Sequence, residues 1–197
     1  MKKVLLLLGK GFESYEASVF IDVMGWKFDD GDGTTRLITI TCGLRKEVEG
    51  AWGIKILTDL TVDQVVVSEY DALAIPGGSR EYGFYEDAYN EMFLDLIRAF
   101  HNDGKIIASI CVGALPIGKG GILKGKNGTT YNMNNSIRQE QLREFGVNVV
   151  NKPMVVEGNI ITSWNPSTAI DVALKLLELL TSRERADYIR KMMGFSE

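Results

Sequence analysis

The sequence predicts a three-layer α/β/α sandwich built on a mostly parallel sheet. Three observations carry this. Short apolar runs recur along the chain, helix-length segments separate them, and several runs are apolar at consecutive rather than alternating positions. Consecutive apolar residues mark strands covered on both faces. Strand–helix alternation is how parallel sheets acquire that cover.

The strand candidates are "KVLLLL" (3–8), "RLITIT" (36–41), "DALAIP" (71–76), "KIIASI" (105–110), "MVVE" (154–157) and "NIITSW" (159–164). "GIKILTDL" (53–60) alternates more and reads as an edge strand or a hairpin arm. Between them, 14–28 opens with Ser14 as a helix N-cap. Segment 88–104 places Met92, Phe93, Leu96, Ile97 and Phe100 on one stripe, with Gly104 as a terminator. Segment 135–146 turns Ile137, Leu142 and Phe145 inward. Segment 166–182 carries Pro166 near its start, where a proline fits a helix. Segment 183–195 reads as a terminal helix. "DDGDGTT" (29–35) has Gly/Asp turn chemistry and lacks the calcium-loop pattern.

One domain is expected over residues 1–197, with no internal repeat or linker. The composition, 45% hydrophobic and 24% charged, is that of a globular chain rather than a disordered one. The net charge of −4, without any basic cluster, argues against nucleic-acid or anionic-membrane partners. Two cysteines and one histidine, His101, supply neither a disulfide framework nor a multi-histidine metal site. The apolar run Val4–Leu8 is shorter than a signal-peptide core and reads as a buried first strand. A cytoplasmic address is the expectation. No phosphate loop or dinucleotide fingerprint appears, so no cofactor is expected.

The chemistry points to Ser109-Ile110-Cys111-Val112-Gly113, where an apolar strand ends in a cysteine flanked by small residues two positions either side. A strand-to-helix nucleophile elbow needs that spacing, because a large flanking side chain would clash in so tight a turn. The amides from Val112 onward would point at the same space, and a helix N-terminus favours thiolate. Pro76-Gly77-Gly78 ends another strand and lets backbone donors approach a ligand. Glu13 and Glu16 follow the first strand and can reach the same sheet edge, where open α/β sheets bind ligands. A carboxyl beside a thiolate either repels its charge or carries a proton and donates to the sulfur. "GTTYNMNN" (128–135) follows the elbow helix. Tyr82, Phe84 and Tyr85 are candidate pocket residues, Cys42 reads as a buried spectator, and Trp164 either borders the crevice or packs in the core.

Together these stretches resemble the ThiJ/PfpI superfamily, whose fold is flavodoxin-like and similar to the class I glutamine amidotransferases. The resemblance runs nearly end to end. It implies a reactive cysteine at Cys111, a glutamate partner at Glu16, backbone donors at Gly78 and Val112, and a homodimer. Gly77, Tyr131 and Trp164 are candidate pocket residues. Two departures stand out. Tyr131 occupies the position after "GTT" where many members carry a histidine, and Val112 follows the cysteine where the protease-like branch has a histidine. The resemblance therefore implies a cofactor-free lyase or hydrolase acting on a small-molecule electrophile or metabolite. That activity would be glyoxalase/deglycase- or hydratase-like, through a hemithioacetal or thioimidate adduct, and not peptidase activity. The alternative is an oxidative-stress sensor or chaperone-like protein using the same thiol.

Overall fold

The computed structural model describes residues 1–26, 37–133 and 135–195. The turn expected at 29–35 lies outside the described residues. In chain order the first elements are β1 (Lys2–Leu8), α1 (Ser14–Gly25), β2 (Leu37–Gly43), β3 (Glu47–Glu49), β4 (Lys55–Leu57), β5 (Leu60–Thr61) and β6 (Ala72–Ile75). Next come α2 (Phe84–Ala88), α3 (Glu91–Asn102), β7 (Ile106–Ser109), α4 (Ala114–Lys119), β8 (Asn127–Gly128), α5 (Ile137–Glu144) and β9 (Asn148–Val149). The chain ends with β10 (Met154–Glu157), β11 (Ile160–Ser163), α6 (Ala169–Leu180) and α7 (Arg183–Met192).

The main sheet has the order β10-β11-β7-β6-β1-β2-β5. Every pairing in it is parallel except the terminal β10–β11 hairpin. Val4 through Leu8 are fully buried, as the unbroken apolar run predicts for a strand covered on both faces. Helices α1 and α6 pack against each other over one side of the sheet, and α3 and α4 pack together elsewhere against it. The three-layer α/β/α architecture is the one expected.

The alternating stretch at 53–60 splits. Its first half is the β4 arm of the β3–β4 hairpin, and its second half is β5 at the sheet edge. Met92 is a correction. It is 48% exposed, and the inward stripe of α3 is Phe93, Leu94, Leu96, Ile97 and Phe100. The helix starts later than read, with the Asn90 side chain accepting the Met92 N–H at 2.9 Å, so Met92 sits in the first turn and faces out. Ile137 is a second correction. Asn135 and Ser136 adopt left-handed φ values of 56° and 59°, so α5 begins at Ile137 and leaves that side chain 53% exposed.

Strand order reverses at β1. Its successor β2 lies on one side, while β6 and β7 lie on the other. The C-terminal ends of β1, β6 and β7 therefore converge, and the loops that leave them carry Glu13 and Glu16, Gly77 and Gly78, and Cys111. Asp87, buried in α2, ties the first of these loops down. Its Oδ2 accepts the Lys10 N–H at 2.7 Å, and its two oxygens receive a bidentate Arg45 guanidinium at 2.7 and 2.8 Å. Replacing Asp87 with Ala would strand the half-buried Lys10 amide, and is expected to cost about 1–3 kcal/mol of unfolding free energy. Urea denaturation measures this, and an unchanged midpoint and slope would contradict it.

Candidate active site

Cys111 sits at φ = 55°, in the left-handed region that a non-glycine residue avoids. Such a residue costs on the order of 1–3 kcal/mol and persists only where its surroundings over-determine it. Here they do. The Cys111 carbonyl accepts the Thr130 hydroxyl at 2.8 Å and also an N–H from Ala114. The Ile110 N–H donates to Ile75 O, tying the elbow to the end of β6. A Cβ on Gly113 would lie 2.6 Å from Ile75 O, so the small residue after the elbow is compulsory. Ser109 packs the other flank, with its hydroxyl donating to Ile161 O.

Glu16 lies in the first turn of α1 with no exposed surface. Its Oε2 accepts the Gly77 N–H at 2.6 Å, while Oε1 is buried without a partner among the described residues. Gly77 is the hinge of the site. A Cβ there would meet Glu16 Oε2 at 2.9 Å, and Cys111 Cβ and the Val112 nitrogen both at 3.0 Å. Only a residue without a side chain lets the acid, the thiol-bearing residue and the following amide gather round one backbone atom. The Val112 N–H favours the ionised form of the Cys111 sulfur. Gly78 pairs with Phe12 in a bridge whose hydrogen bonds run from Glu13 N–H to Gly77 O and from Ser79 N–H to Gly11 O. The Gly78 N–H is therefore free among the described residues, at the wall of a cleft.

Burial pushes the Glu16 carboxyl up to about 8, and the Glu13 charge adds to this against the hydrogen bonds of Gly77 and Cys111. Burial also raises the Cys111 thiol well above its ordinary value, the Glu16 charge raises it further, and the Val112 N–H opposes both. The helix N-terminus was expected to favour thiolate. Burial and any charge on Glu16 act against it in the folded site. The two groups are coupled, and a second negative charge there is strongly disfavoured. Near neutral pH Glu16 carries its proton.

The cleft measures about 530 Å³ and is lined by Cys111, Val112, Gly78, Tyr131 and Tyr85, with Glu13, Arg80 and Arg138 as its charged members. Of the sequence candidates, Cys111, Glu16, Gly77, Gly78 and Val112 come together. Tyr131 lines the cleft, but the phenol coupled to the Cys111 charge is Tyr85, pushed up to about 12 chiefly by burial. Phe84 is fully buried and Tyr82 lies off the lining. Trp164 is a correction. It does not line the cleft, and its indole nitrogen is buried near the β10–β11 hairpin, where its backbone N–H donates to Pro153 O. His101 is half-buried at the end of α3, in a groove with Lys105 and Lys126 at the opposite end of β7. Cys42 is fully buried, as expected of a spectator.

Sequence reasoning missed Arg138, Arg80 and Trp52. Trp52 reaches the rim because the β3–β4 hairpin docks on the loop after β1, through Gly11 N–H to Glu49 O and Ala51 N–H to Phe12 O. No local pattern signals a contact of that separation.

The raised Glu16 value has a stability consequence. The unfolded carboxyl titrates near 4.5 and the folded one near 8, so the native state holds the extra proton between them. The contribution is complete below pH 4.5 and is lost as pH rises through 8. Unfolding free energy should therefore decline across this window in the wild type and stay flatter in Glu16→Gln. Urea titrations at stepped pH measure this, and identical slopes in the two proteins would contradict it.

The DJ-1/PfpI family model matches residues 2–179. The chain is 28% identical to protein dj-1beta of Drosophila melanogaster over 192 residues, 96% of this chain and 95% of that one. It is 30% identical over 164 residues to a protein of Thermococcus kodakarensis named deglycase TK1284, covering 83% of this chain and 90% of that one. The crystal structure of Drosophila DJ-1beta superposes with a TM-score of 0.83 at 28% identity, over 100% of this chain and 99% of that one. With the family model spanning most of its length and the elbow, acid and glycine turn in place, this chain belongs to the DJ-1/PfpI family.

Proposed function

We propose that the protein is a cofactor-free enzyme acting on small carbonyl electrophiles, with glyoxalase- or deglycase-like chemistry. The observation that carries this is the fully buried Glu16 carboxyl set against a cleft-lining thiol. Relatives named deglycases support the reading. With a 2-oxoaldehyde, the Cys111 sulfur bonds to the aldehyde carbon. The carbonyl π pair moves to oxygen, where the Gly78 and Val112 N–H groups receive it. The thiol proton leaves to solvent and Glu16 gives its own proton to that oxygen, completing a hemithioacetal and leaving Glu16 as carboxylate. That carboxylate removes the proton from the former aldehyde carbon and returns it to the neighbouring carbon, while the new hydroxyl proton shifts to the neighbouring ketone oxygen through the enediol. The resulting thioester is cleaved by water. A 2-hydroxy acid leaves and the thiol is restored, for a net addition of one water.

A single acid–base group suffices for this sequence, and a value near 8 places Glu16 where it both gives and takes a proton. Tyr85, neutral at this pH, faces the same space as a hydrogen-bond donor. Cys111→Ser and Glu16→Gln should each lower methylglyoxal turnover by about 100-fold or more. Glutamine keeps an oxygen for the Gly77 N–H, so its effect isolates the proton. Lactate formation is the readout, and wild-type rates in either variant would end the proposal.

A further inference from the structure

Arg80 and Arg138 both line the cleft. Neither makes an ion pair with a carboxylate among the described residues, whereas Arg45, Arg98, Arg143, Arg183 and Arg190 all do. Arg138 is nonetheless held in place. Its Nη1 donates to Gln141 Oε1 at 3.1 Å, Gln141 Nε2 donates in turn to the Tyr89 hydroxyl at 2.8 Å, and the guanidinium lies 4.9 Å from the centre of the Tyr85 ring. A guanidinium fixed by a stacked ring and a side-chain amide is pre-organised without being neutralised. Both arginine charges act on the Tyr85 hydroxyl, and the Cys111 charge acts on it too, so all four groups share one space. Glu13 is the single carboxylate on the lining, and the two cations exceed it.

We propose that Arg138 and Arg80 form an anion subsite, and that the electrophile taken by this cleft carries a carboxylate or phosphate group beside its reactive carbonyl. This deepens the enzymatic reading and rests on it only for turnover; the subsite itself is testable apart from it. A planar guanidinium pairs with either group through two parallel N–H bonds, and Arg80 adds a second positive charge at the rim. Anionic substrate would also be drawn to the thiol and away from bulk solvent, an attraction that salt weakens.

The first test compares alkylation of Cys111 by iodoacetate, which is anionic, with alkylation by iodoacetamide, which is neutral. In each case the sulfur bonds to the methylene carbon and iodide leaves. The iodoacetate-to-iodoacetamide rate ratio should fall by about tenfold in Arg138→Gln and by a smaller factor in Arg80→Gln. Arg138→Lys, which keeps charge but loses the fork, should lie between. A ratio unchanged by all three would overturn the proposal.

Failure of both reagents to modify Cys111 would count against the reactive-thiol reading and not the subsite, so binding is read separately in Cys111→Ser by titration calorimetry. Glycerol 3-phosphate and 4-hydroxybutyrate are the charged probes, and glycerol is the uncharged control. Binding of a charged probe, weakened about tenfold by adding Arg138→Gln, supports the subsite. Whichever probe binds more tightly assigns phosphate or carboxylate. Equal weakness of all three, or affinity insensitive to Arg138, would overturn it.

Discussion

A charge on Glu16 would have little to compensate it. The carboxyl has no exposed surface, one oxygen is met by the Gly77 N–H, and the other has no partner among the described residues. Desolvation at such a site disfavours the ionised form, so the proton stays near neutrality. Everything else in the site is arranged around that neutral acid. The thiol lies against it, the Val112 amide steadies the sulfur, and the missing Gly77 side chain is what allows the approach. The strain at Cys111 is the cost of aiming a sulfur at this acid, offset by the bonds to its carbonyl.

The scaffold explains why these groups meet. They are far apart in sequence, yet each leaves the C-terminal end of a neighbouring strand where the winding of the sheet changes direction. Short loops on rigid parallel strands place backbone donors more tightly than long ones could. The same edge then collects residues from more distant segments. The β3–β4 hairpin brings Trp52, and the start of α5 brings Arg138. Those additions extend the cleft beyond the Cys111–Glu16 pair, and the proposed anion preference rests on them.

The central strands and the elbow were legible because they follow from local rules. Five consecutive buried residues in β1 can only be a doubly covered strand, and small-x-Cys-x-Gly leaves room for only a sharp turn. Glu16 was legible by its position after β1. Its protonation was open, because desolvation depends on packing that no short stretch encodes. The balance at the thiol was open for the same reason: the favourable helix terminus is local, and the opposing burial is tertiary. Ile137 was misplaced by assuming that apolar side chains near an element boundary follow its face, when two left-handed residues reset the start of α5. Arg138 carries no local signal of its place, because the Tyr85 ring beneath its guanidinium comes from a distant segment.

The protonation of Glu16 is open to direct observation by infrared difference spectroscopy. At neutral pH the wild type minus Glu16→Gln spectrum should show the carbonyl stretch of a protonated carboxyl, giving way to carboxylate bands as pH is raised through 8. Carboxylate bands alone at neutral pH would contradict the account, because the acid beside Cys111 would then be charged and could not shelter a developing thiolate.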